Sequence, residues 1–168
     1  MTQQPILAPV PPPRDETILH FALKGLLPPP DVLALNLSIR TLSRLSYEEQ
    51  RPYPLLLQQA HFTLAELHLL YPLLTLYPSY TPYEILFASF TRGYDHLNEQ
   101  TISKARRHLH EAQSIPGAWD AEVRPIRNVL SRMRFKLNAL GIDVISMVEI
   151  GYLLIERGRR IKRVREGA

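Results

Sequence analysis

Apolar residues in the first half of the chain follow the spacing of β-strands. Over residues 32–42 they recur at nearly every second position, with polar side chains between the last of them, and this period of two predicts a half-buried strand. A polar, proline-bearing segment follows, and the apolar run at 55–57 predicts a second short strand. We therefore expect a small N-terminal β-sheet, preceded at 18–27 by a short apolar helix or strand.

Two helices are expected next. Thr63-Leu64-Ala65-Glu66 is a capping-box sequence, in which the threonine hydroxyl accepts from the amide of Glu66 while the glutamate reaches back to the threonine amide. Pro72 lacks an amide hydrogen, so this first helix should kink or end early. Thr81-Pro82-Tyr83-Glu84 repeats the start signal with proline in the first helical position, and it predicts a second helix over residues 82–90.

Two longer helices follow in the predicted order. Asn98 should cap a helix over residues 98–113, which carries several basic residues and histidines. A helix over 124–138, with Pro125 in its first turn, has the most regular apolar spacing in the chain and should stop at Gly141. Its apolar stripe comprises Ile126, Val129, Leu130, Met133, Leu137 and Leu140.

A β-hairpin and a basic tail are predicted after the last helix. Apolar runs at 142–148 and 150–155 are separated by a tight turn around Glu149, which favours an antiparallel hairpin. At the other end of the chain, eight of the fifteen prolines lie within residues 1–30, and such runs favour an extended arm. The expected organisation is a proline-rich arm at 1–30, one domain at 31–156 and a basic tail at 157–168.

Positive charge is concentrated in the second half of the chain. Residues 1–91 hold 5 Lys/Arg against 7 Asp/Glu, a net charge of −2, whereas residues 92–168 hold 15 against 9, a net charge of +6. Such an excess suits a nucleic-acid backbone, because basic side chains neutralise phosphates and release their counterions. A protein with a solvated basic face accounts for the same asymmetry equally well.

Catalysis has no support in the sequence. The chain has no cysteine, which excludes disulfides, thiolate metal sites and cysteine nucleophiles. It carries no phosphate-binding loop, serine-hydrolase elbow, zinc-protease helix or dinucleotide fingerprint. We therefore expect a protein that is not an enzyme and needs no cofactor. Because no apolar run reaches membrane-spanning length and no signal peptide is evident, we expect it in the cytoplasm, without membrane contact.

A capped helix, a short helix, a basic amphipathic helix and a hairpin, in this order, are typical of a winged helix-turn-helix. The sequence S-R-M-R-F-K-L at 131–137 and I-G-Y-L-L at 150–154 resemble the recognition helix and wing strand of OmpR/PhoB-like DNA-binding domains. Residues 63–70 likewise resemble that family's first helix. The resemblance covers residues 31–156 and implies an α+β, mainly α, fold: a winged helix-turn-helix with a small N-terminal β-sheet and a C-terminal β-hairpin wing.

The resemblance also implies which residues contact DNA, because the family places the helix before the wing in the major groove. The base-contacting positions would be Arg124, Arg127, Asn128, Ser131 and Arg132, with Arg134 and Lys136 nearer the phosphates. Arginine can bind guanine in bidentate fashion and asparagine can bind adenine, so these residue types suit base recognition. Phe135 falls opposite the apolar stripe and should be exposed, where it would meet a thymine methyl group or a protein partner.

Two helices are candidates for the one that contacts DNA bases, because the helix at 98–113 has no counterpart in the family. Its sequence N-E-Q-T-I-S-K-A-R-R resembles the start of other recognition helices. It is either a solvated support helix or an alternative reader that contacts DNA through Thr101, Lys104, Arg106 and Arg107. We favour the helix at 124–138, because the hairpin follows it directly and no acidic residue lies between Arg124 and Lys136.

The leading hypothesis is a sequence-specific transcriptional regulator that binds double-stranded DNA. Its wing tip has Val148-Glu149 where the family usually has Arg-Gly, so the phosphate contacts would come from tail residues Arg157, Arg159 and Arg160. The alternative is a structural or adaptor protein that uses a winged-helix fold for protein–protein contacts in a larger assembly. RNA polymerase or another protein could bind the helix at 98–113, Phe135 or the proline-rich arm. The sequence does not distinguish a monomer from a homodimer.

Overall fold

The computed structural model describes residues 18–158, so residues 1–17 of the predicted arm and 159–168 of the predicted tail lie outside it. Strands and helices in this part of the chain build a mixed α/β fold around one apolar core. The first sheet is antiparallel, and its strands are neighbours in chain order: β1 (Ile18–Phe21), β2 (Asp31–Asn36), β3 (Thr41–Ser46) and β4 (Leu55–His61).

Four α-helices follow the first sheet within residues 18–158: α1 (Leu64–Leu76), α2 (Tyr83–Arg92), α3 (Glu99–Gln113) and α4 (Ala118–Ala139). A short 3-10 helix (Tyr94–His96) joins α2 to α3. A second, three-stranded sheet has its strands in the order β5 (Thr81–Pro82), β7 (Gly151–Glu156) and β6 (Ile142–Met147). The predicted combination of an N-terminal sheet, helices and a hairpin is thus confirmed. None of the described helices has the length and apolar character needed to cross a membrane.

The N-terminal sheet differs from the prediction in two respects. Residues 32–42 form not one strand but β2, a turn and the start of β3. Asn36 makes this turn, because its side-chain oxygen accepts from the amide of Ser38 at 3.0 Å, a common way for asparagine to reverse the chain. In addition, residues 18–30 are not an extended arm: β1 pairs with β2, and three following leucines are buried in the core, Leu23, Leu26 and Leu27.

Helix α1 begins as predicted but continues past its proline. Thr63 and Glu66 form both hydrogen bonds of the capping box. Pro72 lies inside the helix, where its missing amide leaves the carbonyl oxygen of His68 without the usual helical donor. The buried hydroxyl of Ser89 on α2 donates to that oxygen. The helix therefore passes the proline without an unsatisfied carbonyl and continues to Leu76. Of the two expected outcomes, a kink or an early end, the early end is wrong.

Helix α4 begins at Ala118, well before the predicted start at residue 124. Its first turns have an apolar face of their own: Val123 is fully buried, and Trp119 packs edge-to-face on Tyr83 at 5.3 Å between ring centroids. Pro125 therefore lies inside the helix and not in its first turn. The helix ends at the predicted position, because Gly141 takes the left-handed conformation with φ of 84°.

The predicted hairpin is present, and β5 extends it to three strands. Strand β7 pairs with β6 on one side and with β5 on the other. The approach of β7 to β5 requires glycine at position 151, because a Cβ atom there would lie 2.0 Å from the carbonyl oxygen of Thr81. Glu149 forms the hairpin turn with φ of 62°. The hairpin is thereby fixed to the start of α2 as well as to α4.

Candidate nucleic-acid interface

One face of α4 is exposed to solvent along most of the helix, and we call it the outer strip. Its residues recur at helical spacing and comprise Ala121, Arg124, Pro125, Asn128, Ser131, Arg132 and Phe135. The opposite face is anchored in the core by Val123, Ile126, Leu130, Met133 and Leu137. Because side chains three and four positions apart share one helical face, this anchoring fixes the direction in which the outer strip points.

The outer strip carries hydrogen-bonding and cationic groups, and Asp120 lies beside it, four positions before Arg124. Within residues 18–158, no ion pair or side-chain hydrogen bond engages Asn128, Ser131 or Arg132. Arg124 lies 3.7 Å from Asp120 in an exposed ion pair, which water and salt weaken. Phe135 is 84% exposed, as the sequence predicts. Asn128, Ser131 and Arg132 are therefore free to meet a ligand, whereas Arg124 would first have to leave Asp120.

Arg127 lies at the edge of α4 that faces the hairpin, partly covered rather than on the outer strip. It donates to Asp120 at 2.8 Å, and this hydrogen bond lowers the pKa of the Asp120 carboxyl below its ordinary value. The neighbouring hydroxyl of Tyr83, and after it the carboxylate of Asp120, raises the pKa of Arg127 above its ordinary value. The structure thus places Arg127, one of the predicted base-contacting residues, beside the hairpin, where its guanidinium already binds the carboxylate of Asp120.

Arg134 lies on the same edge of α4 and binds the hairpin. Its guanidinium donates to both carboxylate oxygens of Asp143 on β6, at 2.7 and 2.9 Å, and this bond raises the pKa of Arg134. Such a bidentate pair is geometrically specific. Between Arg127, Arg134 and the hairpin lies a groove of about 290 Å³. The hairpin is thus held at a defined distance from α4.

Lys136 occupies the other edge of α4 and faces α1 instead of solvent. Its amine lies 2.8 Å from the carboxylate of Glu66, whose side chain is 7% exposed. The same amine lies 5.4 Å from the centre of the Phe62 ring. The expectation that Lys136 lies near DNA phosphates therefore does not fit its orientation, because its charge is committed to a contact between helices.

The predicted alternative reader, α3, presents its basic residues on a separate surface. Thr101 belongs to the helix cap, where its hydroxyl donates to the carbonyl of His96 at 2.9 Å. Arg106 lies 3.5 Å from Glu84 of α2. Lys104 and Arg107 are exposed, and neither forms an ion pair within the described part of the chain. The outer strip of α4 and the basic side of α3 are therefore two distinct surfaces.

The tail and the hairpin tip carry the remaining predicted contacts. Arg157 is exposed, but one of its terminal nitrogens donates to the carbonyl of Asn138 at the end of α4, at 3.1 Å. Arg159 and Arg160 lie outside the described residues. At the tip, Val148 is 81% exposed and Glu149 is also exposed. The tip thus presents an apolar and an acidic side chain to solvent.

Sequence reasoning missed the residues that orient the basic side chains: Glu66, Tyr83, Asp120 and Asp143. Asp120 is seven positions before Arg127, a spacing of two helical turns that becomes readable only once α4 is known to begin at Ala118. Glu66, Tyr83 and Asp143 lie on α1, α2 and β6, so no local sequence pattern links them to the basic residues of α4.

Comparisons with known proteins give this chain no relative. No family model matches it, no curated protein matches it, and no solved structure matches it.

Proposed function

We propose that this protein binds double-stranded DNA by inserting α4 into the major groove, with the β6–β7 hairpin as a wing, and that it acts as a transcriptional regulator. The observation that carries the proposal is the outer strip, where Asn128, Ser131 and Arg132 are exposed without an ion pair or side-chain hydrogen bond within residues 18–158. Arg124, on the same strip, has an exposed ion pair with Asp120. A helix about 10–12 Å across fits a major groove about 12 Å wide.

The order of the elements supports this assignment. A four-stranded sheet, helices and a three-stranded sheet built on a hairpin follow each other along the chain, as the resemblance to OmpR/PhoB-like domains implies. The hairpin directly follows α4, and Arg134 holds it there through Asp143. We therefore assign recognition to α4 rather than to α3, which is followed along the chain by α4 and not by a hairpin.

The side chains of the outer strip match the chemistry of base edges. Arg132 can donate two hydrogen bonds to guanine, and Asn128 can both donate to and accept from adenine. Ser131 can serve either base or a phosphate oxygen. Arg127 and Arg134 lie beside the hairpin groove, and carboxylates already orient their guanidinium groups. These two residues are therefore better suited to positioning the hairpin and the DNA backbone than to contacting base edges.

The test is affinity for a duplex selected from a random library, measured by fluorescence anisotropy at fixed salt. Asn128→Ala and Arg132→Ala should each weaken binding by about 1–3 kcal/mol, because each removes one base contact. The matched control is Arg107→Ala, which removes a cation from the exposed face of α3 and should change affinity far less. Full affinity in both α4 variants, together with a large loss in the control, would assign recognition to α3.

An adaptor function is the second candidate, and the exposed apolar side chains favour it. Phe135 is 84% exposed on the outer strip and Val148 is 81% exposed at the hairpin tip. Glu149 beside Val148 would repel a DNA backbone. An adaptor would not bind duplex DNA at any salt concentration. In that case Phe135→Ser should abolish the binding of a protein partner.

A further inference from the structure

A groove of about 330 Å³ lies between α2 and the first half of α3, away from the outer strip of α4. Its walls include Thr91 and Arg92 from the end of α2, and Lys104 and His108 from α3. No residue of the outer strip lines it. The volume is within the range of about 300–1,000 Å³ that is common for small-molecule sites.

The rim of this groove is positively charged. Arg92 and Lys104 are exposed side chains contributed by different helices, and neither forms an ion pair within residues 18–158. No aspartate or glutamate is among the lining residues. The carboxylate of Glu122 is engaged by His108 at 3.1 Å. Two cations that face one groove without a carboxylate between them favour an anionic ligand.

The floor of the groove is apolar and partly aromatic. Ala88 and Ala105 are 1% and 5% exposed, and both line it together with Phe87. The Phe87 ring stacks on the imidazole of His108, with 5.2 Å between centroids and an interplanar angle of 22°. An apolar floor with a few convergent polar groups is typical of sites for small organic ligands, whereas a DNA phosphate would need only the cations.

We infer that this groove binds a small organic anion, with a phosphate or carboxylate between Arg92 and Lys104 and a flat or apolar body against Phe87 and the two alanines. The inference does not depend on DNA binding, because the two surfaces share no residue. In a protein that does bind DNA, the groove would provide a site for an effector. Helix α3, which forms one wall, contacts α4 through the His108–Glu122 pair.

The test is an NMR titration of the full-length, nitrogen-15-labelled protein with inorganic phosphate, pyrophosphate, benzoate and AMP, at constant ionic strength. Saturable shifts should be centred on the backbone amides of Thr91, Arg92 and Lys104. AMP should bind at least about tenfold more tightly than adenosine, because a hydrogen bond to a charged group is worth about one to two factors of ten. No saturable shift with any of the four anions, at concentrations that would fill a millimolar site, overturns the inference.

Matched variants separate a built site from general charge attraction. Arg92→Gln and Lys104→Gln should each weaken AMP binding about tenfold. Arg107→Gln removes the same charge from an exposed position of α3 that does not line the groove, and it should leave the affinity unchanged. An equal loss in all three variants would contradict the inference. Shifts at the groove caused by duplex DNA but by none of the four anions would assign the groove to the DNA backbone instead and would equally contradict it.

Discussion

Replacing Lys136 by methionine should destabilise the protein markedly, although lysine at a helix surface is usually replaceable. The amine of Lys136 lies 2.8 Å from Oε1 of Glu66, which also accepts from the amide of Thr63 at 3.2 Å. The other carboxylate oxygen, Oε2, is buried and has no hydrogen-bond partner. Methionine keeps most of the aliphatic stem next to Phe62 but removes the charge. It therefore leaves a buried carboxylate without its counter-charge.

The expected loss is about 2–3 kcal/mol in the free energy of unfolding. Removing one partner of a fully buried ion pair costs about 3–5 kcal/mol, but the side chain of Lys136 is 33% exposed, so water compensates part of the loss. Urea unfolding followed by far-UV circular dichroism measures the change. The midpoint should fall while the dependence on urea concentration stays the same, because the surface exposed on unfolding is unchanged.

Two further variants make this prediction refutable. Arg132→Met is the matched control, since it removes a cation from the exposed face of the same helix, and it should change stability by less than about 0.5 kcal/mol. Glu66→Gln in the Lys136→Met background should recover at least about 1 kcal/mol, because it removes the uncompensated charge. A loss below about 0.5 kcal/mol for Lys136→Met, or no recovery in the double variant, would refute the reasoning.

Two other predictions concern α1 and its neighbours. Ser89→Ala should lower the free energy of unfolding by about 1–3 kcal/mol, because the carbonyl oxygen of His68, which Pro72 leaves without a helical donor, then loses the hydroxyl. Calorimetry measures this change. An unchanged stability would contradict the proposed role of the hydroxyl. His68 accepts from the amide of Tyr94 through Nδ1 at 3.1 Å, and burial lowers its pKa below 6.5, although Asp95 partly opposes the shift. The pKa of His68 is thus lower in the folded than in the unfolded protein. The contribution of its neutral imidazole to the free energy of unfolding is therefore complete above about pH 6.5 and decreases as the pH falls through the folded pKa. The free energy of unfolding, measured with urea, should therefore differ less between about pH 7.5 and about pH 5.5 in His68→Gln than in the wild type. Equal differences in the two proteins would contradict this role of His68.

The parts of the fold that the sequence predicts well are those with local causes. The capping box of Thr63 and Glu66 that starts α1 and the Asn98 cap that starts α3 each lie within four consecutive residues, and both form as expected. The reciprocal bond of Thr101 at the start of α3 was not predicted. The apolar stripe of α4 predicts its buried face because helical spacing alone determines which side chains share a side. The exposure of Phe135 follows from the same geometry. Helical spacing alone therefore predicts most of the outer strip, although Ala121 lies before the predicted start of the helix at residue 124.

The parts that the sequence hides depend on distant contacts or on weak local signals. The turn between β2 and β3 contains neither glycine nor proline, and its turn-favouring residues are only Asn36 and Ser38. The early start of α4 depends on the packing of Trp119 against Tyr83, which lies on a different helix. The partner of Lys136 is Glu66, on another helix and far away in the chain. A basic residue on a helix thus gives no indication of whether its charge faces solvent or a buried carboxylate.

The most direct test of the central claim is the salt dependence of binding to duplex DNA of random sequence. If α4 and the hairpin bind DNA, the logarithm of the association constant should fall linearly with the logarithm of salt concentration, with a slope of about −3 or steeper at roughly 0.9 per phosphate contacted. Lys136→Met should keep that slope, because its amine faces Glu66, whereas Arg124→Ala combined with Arg132→Ala should reduce it. No saturable binding at low salt, or a slope near zero, would contradict the claim.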